Sequence, residues 1–313
     1  MTKEESKMMQ GVAILIMIFY HLFNVEEYHN TVIGHLAKAN NPVPFYVFLS
    51  GYGLYCVYLK GRDHNRFKRC IKLYFHYWLI TGSFIVFSLF LGLRNYDFSL
   101  SCVVANITGW ETGYYASAWF VLPYCLLSVA SPFLMRFVDN QRVLLSLILS
   151  YLIYALFAYL NRFGNYNANV WQVFYIQFSF ILGAVFAKCN IFSVKEKIEK
   201  YPPPYPMLLL IVLMVLRYFL PFGMLASLYA ALFILIFVMI SLPKWMKYCL
   251  VSFGKESLNM WMIHTWIFLY LFREEIYGLD NPAIIYLAVV LVSYVLSRIF
   301  NIMIHPLSKV ILR

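Results

Sequence analysis

Charge is what this sequence has least of. Asp, Glu, Lys and Arg make up 12% of its 313 residues, against 62% apolar residues and a mean hydropathy of +0.70. A soluble globular chain carries about 25% charged and about 45–50% apolar residues, so this balance excludes a water-soluble enzyme, a disordered chain and a nucleic-acid binder. Cysteine is sparse and unpatterned. Cys56, Cys70, Cys102, Cys125, Cys189 and Cys249 form no CxxC pair and no Cys/His spacing suited to a metal, so no metal site is expected. No small-residue cleavage site follows the first apolar run, Met8–Phe23, which reads as a retained helix and not as a signal peptide. Internal repeats are also missing, as is any matching pair of Gly/Pro-broken helices, and both absences count against an inverted-repeat transporter.

What remains is a series of apolar runs. A helix that spans a bilayer needs about 20 apolar residues, and candidate spans fall at 8–23, 43–59, 70–93, 118–135, 143–160, 170–187, 206–219, 222–242, 258–272 and 283–304. The stretch 206–242 reads either as one overlong helix or as two. Basic residues decide between them, because Lys and Arg concentrate in cytoplasmic loops. With the N-terminus inside and ten crossings, 20 basic residues fall on the cytoplasmic side and 5 outside, the latter being Lys38, Arg94, Arg162, Arg217 and Arg273. A single crossing over 206–242 destroys that asymmetry. The expected fold is therefore an all-α polytopic membrane protein of about ten transmembrane helices, one transmembrane domain over residues 1–313, with both termini cytoplasmic. The net charge of +11 then reports topology and not an anionic partner. The proline-rich stretch Tyr201–Pro206 reads as a stiff return into the membrane.

Ionisable residues inside apolar helices are expensive and mark candidate sites. His21 stands over 20 Å across the first span, at about 1.5 Å per residue from Ser6, toward the outer leaflet. A neutral imidazole there suits a general base for a hydroxyl arriving from outside. The densest cationic cluster precedes the third span. If that helix starts early, Arg62, Arg66 and Arg69 share one face, and their guanidinium forks suit the phosphates of a nucleotide-like donor, with Lys72 beside them. Plain topological charge and lipid headgroup contact are the competing readings of the same cluster. The small-residue run Ser50-Gly51-Tyr52-Gly53 falls in the outer half of the second span, where it permits close backbone approach. His264 is a second intramembrane histidine.

These pieces, in this order, resemble the membrane-bound acyltransferase-3 family over nearly the whole chain. The resemblance rests on Gly11 to Leu15 with His21-Leu22-Phe23, on Phe45 and Phe48 with Leu49-Ser50-Gly51-Tyr52, on Trp119-Phe120 with Pro132, and on Phe253-Gly254-Lys255 with Ser257-Leu258 and His264. The basic run ending in Tyr77-Trp78 is a fifth piece. Members are similar in being bacterial inner-membrane enzymes that take an acyl group, usually acetyl, from cytoplasmic acyl-CoA and place it on a hydroxyl of an envelope glycan at the outer face. The resemblance implies His21 as the catalytic base and Arg66-Phe67-Lys68-Arg69 as the basic RxxR motif. Two departures stand out: Gln10 occupies a position where the family usually has Arg or Lys, and the basic motif can also be aligned as Arg69-Cys70-Ile71-Lys72.

The expected arrangement keeps the anionic head of CoA against Arg62, Arg66, Arg69 and Lys72, while its pantetheine arm threads between helices toward His21. His21 then deprotonates the acceptor hydroxyl; an acyl-histidine intermediate is the alternative route. Asn24, Ser50, Tyr52, Trp119 and His264 are the expected channel or acceptor contacts. The rival reading, a transporter or flippase for a glycan or small solute, requires polar groups spread along several helices. Topology is directly testable: reporter fusions at Lys197 and Arg273 should report the cytoplasm and the exterior respectively, and a shared location would overturn ten crossings.

Overall fold

The computed structural model describes residues 1–61, 66–162, 164, 168–194, 204–220 and 223–311. Among them there is no strand; α-helix dominates, joined by short 3-10 turns. In chain order the helices are α1 (Lys3–Phe23), α2 (Val32–Ala39), α3 (Val43–Tyr58), α4 (Arg66–Phe90), α5 (Leu100–Thr108), α6 (Val121–Asn140), α7 (Val143–Leu160), α8 (Gln172–Lys188), α9 (Pro204–Phe219), α10 (Ala226–Phe237), α11 (Lys244–Thr265), α12 (Arg273–Tyr277) and α13 (Pro282–Ile311). A π-helical segment, Trp266–Leu271, continues α11. Every one of the ten apolar runs coincides with a helix, and 206–242 is indeed two helices, α9 and α10. Six of the helical stretches are long and apolar enough to cross a membrane on their own dimensions, while α9 and α10 are shorter apolar helices.

Local chemistry sets the ends. Thr2 and Glu5 form a capping box at the start of α1: the Glu5 N–H donates to Thr2 Oγ1 at 3.1 Å and the Thr2 N–H to Glu5 Oε2 at 2.7 Å. Thr31 caps α2 through the Gly34 N–H. At the end of α6 the Lys188 ammonium donates to the carbonyls of Val138, Asp139 and Gln141 at 2.8–2.9 Å, where a helix leaves carbonyls without partners.

The chain separates into two compact units. The first comprises Met1–Asp63, Ser131–Gly164 and Phe174–Lys255. Its core gathers Phe45, Phe48, Phe186, Tyr229 and Phe233, with edge-to-face rings such as Phe45 on Phe233 at 5.2 Å. Within this unit helices cross at glycines. A Cβ on Gly11 would stand 2.0 Å from the Leu250 carbonyl oxygen, one on Gly254 1.9 Å from that of Lys7, one on Gly51 1.9 Å from that of Phe180, and one on Gly183 2.1 Å from that of Phe48. These are reciprocal backbone-to-backbone contacts of α1 with α11 and of α3 with α8. Small residues at helix crossings are how helices associate where lipid removes the hydrophobic drive.

The second unit comprises His64–Ala130, Asn165–Val173 and Glu256–Arg313. Its centre is aromatic: Phe84 packs on Trp266 at 4.8 Å and on Tyr115 at 5.3 Å. The buried face of α4 carries Cys70, Leu73, His76, Tyr77, Ile80, Thr81 and Phe84.

Adding a methyl at a crossing glycine forces two backbones apart, so Gly11→Ala and Gly254→Ala should each lower stability by about 1–3 kcal/mol. Gly53, whose Cβ would meet nothing within 4 Å, is the control: Gly53→Ala should leave the thermal midpoint in detergent unchanged or higher. Equal effects at all three positions would contradict the crossings.

Candidate active site

His21 occupies the last turn of α1, at the opposite end from the Thr2 cap. It is half-buried, and the Tyr20 ring stands edge-on to it at 5.0 Å. The Tyr20 hydroxyl hydrogen-bonds the side chain of Asn24, which closes the helix through its own N–H to the Tyr20 carbonyl. The helix end therefore ties Asn24 to Tyr20, the neighbour of His21.

Ser50 and Tyr52 are not brought there. The Tyr52 hydroxyl receives the Met1 amino group at 3.0 Å, and Tyr46 on the same helix reaches the Gln10 carbonyl at 3.3 Å. Residues 50–53 thus lie level with the first turns of α1, about 20 Å or more along that helix from His21. Their expected place in the outer half of the span is corrected by this antiparallel register. Ser50 Oγ bonds the Tyr46 carbonyl, Gly51 seats the backbone of α8, and Tyr52 meets Phe192 edge-on. Gln10, the departure from the usual basic residue, accepts a hydrogen bond from the Lys7 ammonium at 2.7 Å, and Lys7 also reaches the Gly254 carbonyl. A cation is thus present one turn from the position where the sequence has none.

In the second unit α4 begins at Arg66. Arg62 lies outside the described residues. Arg66 and Arg69, three residues apart, share the flank that continues as the buried face, and Lys72 follows one turn later toward the exposed side. Among the described residues Arg69 and Lys72 form no hydrogen bond or ion pair, so both cations are available to an anion. Trp119 and His264 are linked through Phe120 and Trp261. Trp119 meets Phe120 at 5.7 Å, Phe120 meets Trp261 at 5.7 Å, and the Trp261 carbonyl accepts from His264 Nδ1 at 2.9 Å. His264 is wholly buried, with a second bond from Nδ1 to the Met260 carbonyl at 3.1 Å. These bonds place the His264 proton on Nδ1 and fix the orientation of the ring.

A polar network absent from the sequence reading sits in this unit. The Glu256 carboxylate, buried, accepts from Ser297 Oγ at 2.7 Å and from Asn301 Nδ2, and meets the exposed Arg298 at 3.4 Å. Asn301 Oδ1 accepts from Asn259 Nδ2 at 3.0 Å, and Asn259 Oδ1 accepts from His76 Nδ1 at 2.6 Å. Glu256, Asn301, Asn259 and His76 therefore form one chain of hydrogen bonds across α11, α13 and α4. Intramembrane polarity is thus not confined to a histidine and a basic cluster. Ser293, Ser297 and Asn301 repeat every fourth residue on the largely apolar α13, a stripe visible in the sequence. His76 is hidden among Tyr74, Phe75, Tyr77 and Trp78, which read as an aromatic interface.

A family model described as an acyltransferase domain matches residues 5–302. No curated protein and no solved structure matches the chain.

Asn301 serves two partners, so Asn301→Ala should cost about 1–3 kcal/mol by removing one of the two donors to Glu256 Oε2 and the nearer acceptor of Asn259 Nδ2. Arg298→Ala removes a solvent-exposed partner and should cost under about 1 kcal/mol. Unfolding in mixed micelles compares the two, and equal effects would contradict the network.

Proposed function

Since the chain belongs to the acyltransferase-3 family over residues 5–302 and is a multi-pass membrane acyltransferase, we propose that it transfers an acyl group, acetyl foremost, from cytoplasmic acyl-CoA to a hydroxyl of an envelope glycan at the outer face of a bacterial inner membrane. The observation that carries this reading is the placement of His21. It is the imidazole of the far end of α1, half-buried beside Tyr20, whereas His264 is wholly buried.

In this reaction His21 accepts the proton of the acceptor hydroxyl as the hydroxyl oxygen bonds to the thioester carbonyl carbon. The C–S bond then breaks, the thiolate of CoA leaves, and the proton passes from His21 to the sulfur. A positioned base of this kind contributes about 10²–10⁴ in rate. Arg66, Arg69 and Lys72 hold the phosphates of the donor. Arg69 and Lys72 support that role by having no carboxylate partner among the described residues, and Arg adds bidentate geometry that a phosphate can use. Lys7, bonded to Gln10, takes the cationic place that Gln10 leaves empty.

His21→Gln keeps polarity and volume but accepts no proton at neutral pH, so glycan acetylation should fall by at least about 10² while the protein still inserts and folds. His264→Ala should lower yield or stability and keep measurable turnover. Arg69→Ala should raise the KM for acyl-CoA more than it lowers kcat, because a phosphate contact remote from the thioester binds ground and transition states alike. Substantial turnover in His21→Gln would remove His21 as the base. Acyl-protein accumulating when acceptor is withheld would replace direct attack by a covalent route.

A further inference from the structure

Among the buried polar atoms of the second unit that make no hydrogen bond with the described residues are His76 Nε2, Thr81 Oγ1, Trp266 Nε1 and Ser293 Oγ; Tyr96 Oη, in the stretch before α5, is another. The first four residues are 4%, 6%, 6% and 0% exposed respectively. They lie on α4, the π-helical segment and α13, and these elements touch. Trp266 stacks between Phe84 of α4 at 4.8 Å and Phe300 of α13 at 6.3 Å, and His76 of α4 is tied through Asn259 to Asn301 of α13. A polar atom without a partner is costly in any interior and more so in a bilayer, where water supplies none. Four in one group of helices match a polar occupant.

His76 is the most specified of them. Asn259 gives both its amide protons to α13, to the Ser297 carbonyl and to Asn301 Oδ1, so its Oδ1 faces His76. That oxygen only accepts, which places the His76 proton on Nδ1 and leaves Nε2, on the far edge of the ring, as a bare acceptor. The occupant must therefore donate at His76. The indole N–H of Trp266 only donates, so there it must accept. An amide does both. Two turns of α4 separate His76 from Arg69, roughly 10 Å of rise along one face, and a pantetheine arm leaving a diphosphate at those guanidiniums carries two amides in series.

We propose that the arm of the acyl donor runs along this face of α4 and that His76 Nε2 accepts a hydrogen bond from one of its amide N–H groups, with the Trp266 N–H and the Thr81 and Ser293 hydroxyls serving its carbonyls. This rests on the acyl-CoA reading and adds residues of the second unit that hold the arm of the donor. His76 positions the donor; it moves no proton.

The test is calorimetric binding to the full chain in lipid nanodiscs. The ligands are acetyl-CoA, two analogues in which one or the other amide N–H is replaced by a methylene, and adenosine 3′,5′-bisphosphate, which lacks the arm. Wild type should bind one analogue about tenfold more weakly than acetyl-CoA, the size of one neutral hydrogen bond. His76→Asn keeps a donor where Nδ1 stood and deletes the acceptor. It should bind acetyl-CoA about tenfold more weakly, lose the preference over that analogue, and hold the bisphosphate as wild type does. His76→Gln, which keeps an acceptor near the Nε2 position, should retain the preference. A His76→Asn protein that still discriminates, a wild type that distinguishes neither analogue, or parallel loss of bisphosphate and acetyl-CoA would overturn the proposal. Wild type that binds neither acetyl-CoA nor the bisphosphate would overturn the donor reading itself, a different signature.

Discussion

Inside a bilayer there is no water to satisfy a polar atom, and the structure is organised by that constraint. Backbone groups are satisfied by helices, which is why the described residues form helix and no strand. Side chains that cannot be satisfied locally are gathered. The Glu256 carboxylate is held by Ser297 and Asn301 and screened by Arg298 at its exposed edge, so a buried anion is compensated from three sides. Ser179 and Ser227 bond each other at 2.6 Å, and Ser150 and Gln177 pair at 2.6 Å, by the same necessity. The orphan acceptor and donors around His76 are exceptions that share touching helices.

The second demand of the bilayer is cohesion without a hydrophobic drive. Lipid tails are as apolar as Leu, so helices gain by close packing and not by leaving solvent. The glycines at positions 11, 51, 183 and 254 permit α1 to touch α11, and α3 to touch α8, backbone to backbone. The large apolar side chains on α7, among them Leu144, Ile148, Leu152 and Leu156, remain exposed, and they are the surface offered to lipid. The motif residues Gly11, Gly51 and Gly254, which resemble a family signature, thus have a mechanical explanation independent of catalysis.

Hydropathy made the ten helices legible because each apolar run is long relative to its charged flanks. It was poor at boundaries where charge enters the helix. Lys244, Lys247, Lys255 and Glu256 depress the hydropathy of α11, so that helix starts at Lys244 and not near 258. The short α2 and α5 were invisible, being too brief to show as apolar runs. His21 stood out as a candidate from its depth in an apolar segment. Ser50 and Tyr52 were misplaced because small residues announce close packing without saying at which end of the span it occurs. His76 was missed because its partner is 183 residues away in sequence, and no local pattern encodes such a contact. The Ser293, Ser297 and Asn301 stripe was the one overlooked signal that periodicity alone supplied.

The π-helical turn at Trp266–Leu271 has a consequence for helical phase. Each of its i→i+5 rings encloses one residue more than an α-turn, which rotates everything downstream by roughly 100°. Every residue from Asn259 to Phe268 is buried, a run no uniform amphipathic helix can achieve. The extra residue acts as a phase shift: it lets His264, Thr265 and Trp266 each find a different neighbour at nearly one height. Removing one residue there would restore a regular helix and turn the residues that follow it onto another face. The length of this segment, counted in single residues, is therefore as much a part of the protein's specificity as the identity of any side chain it carries.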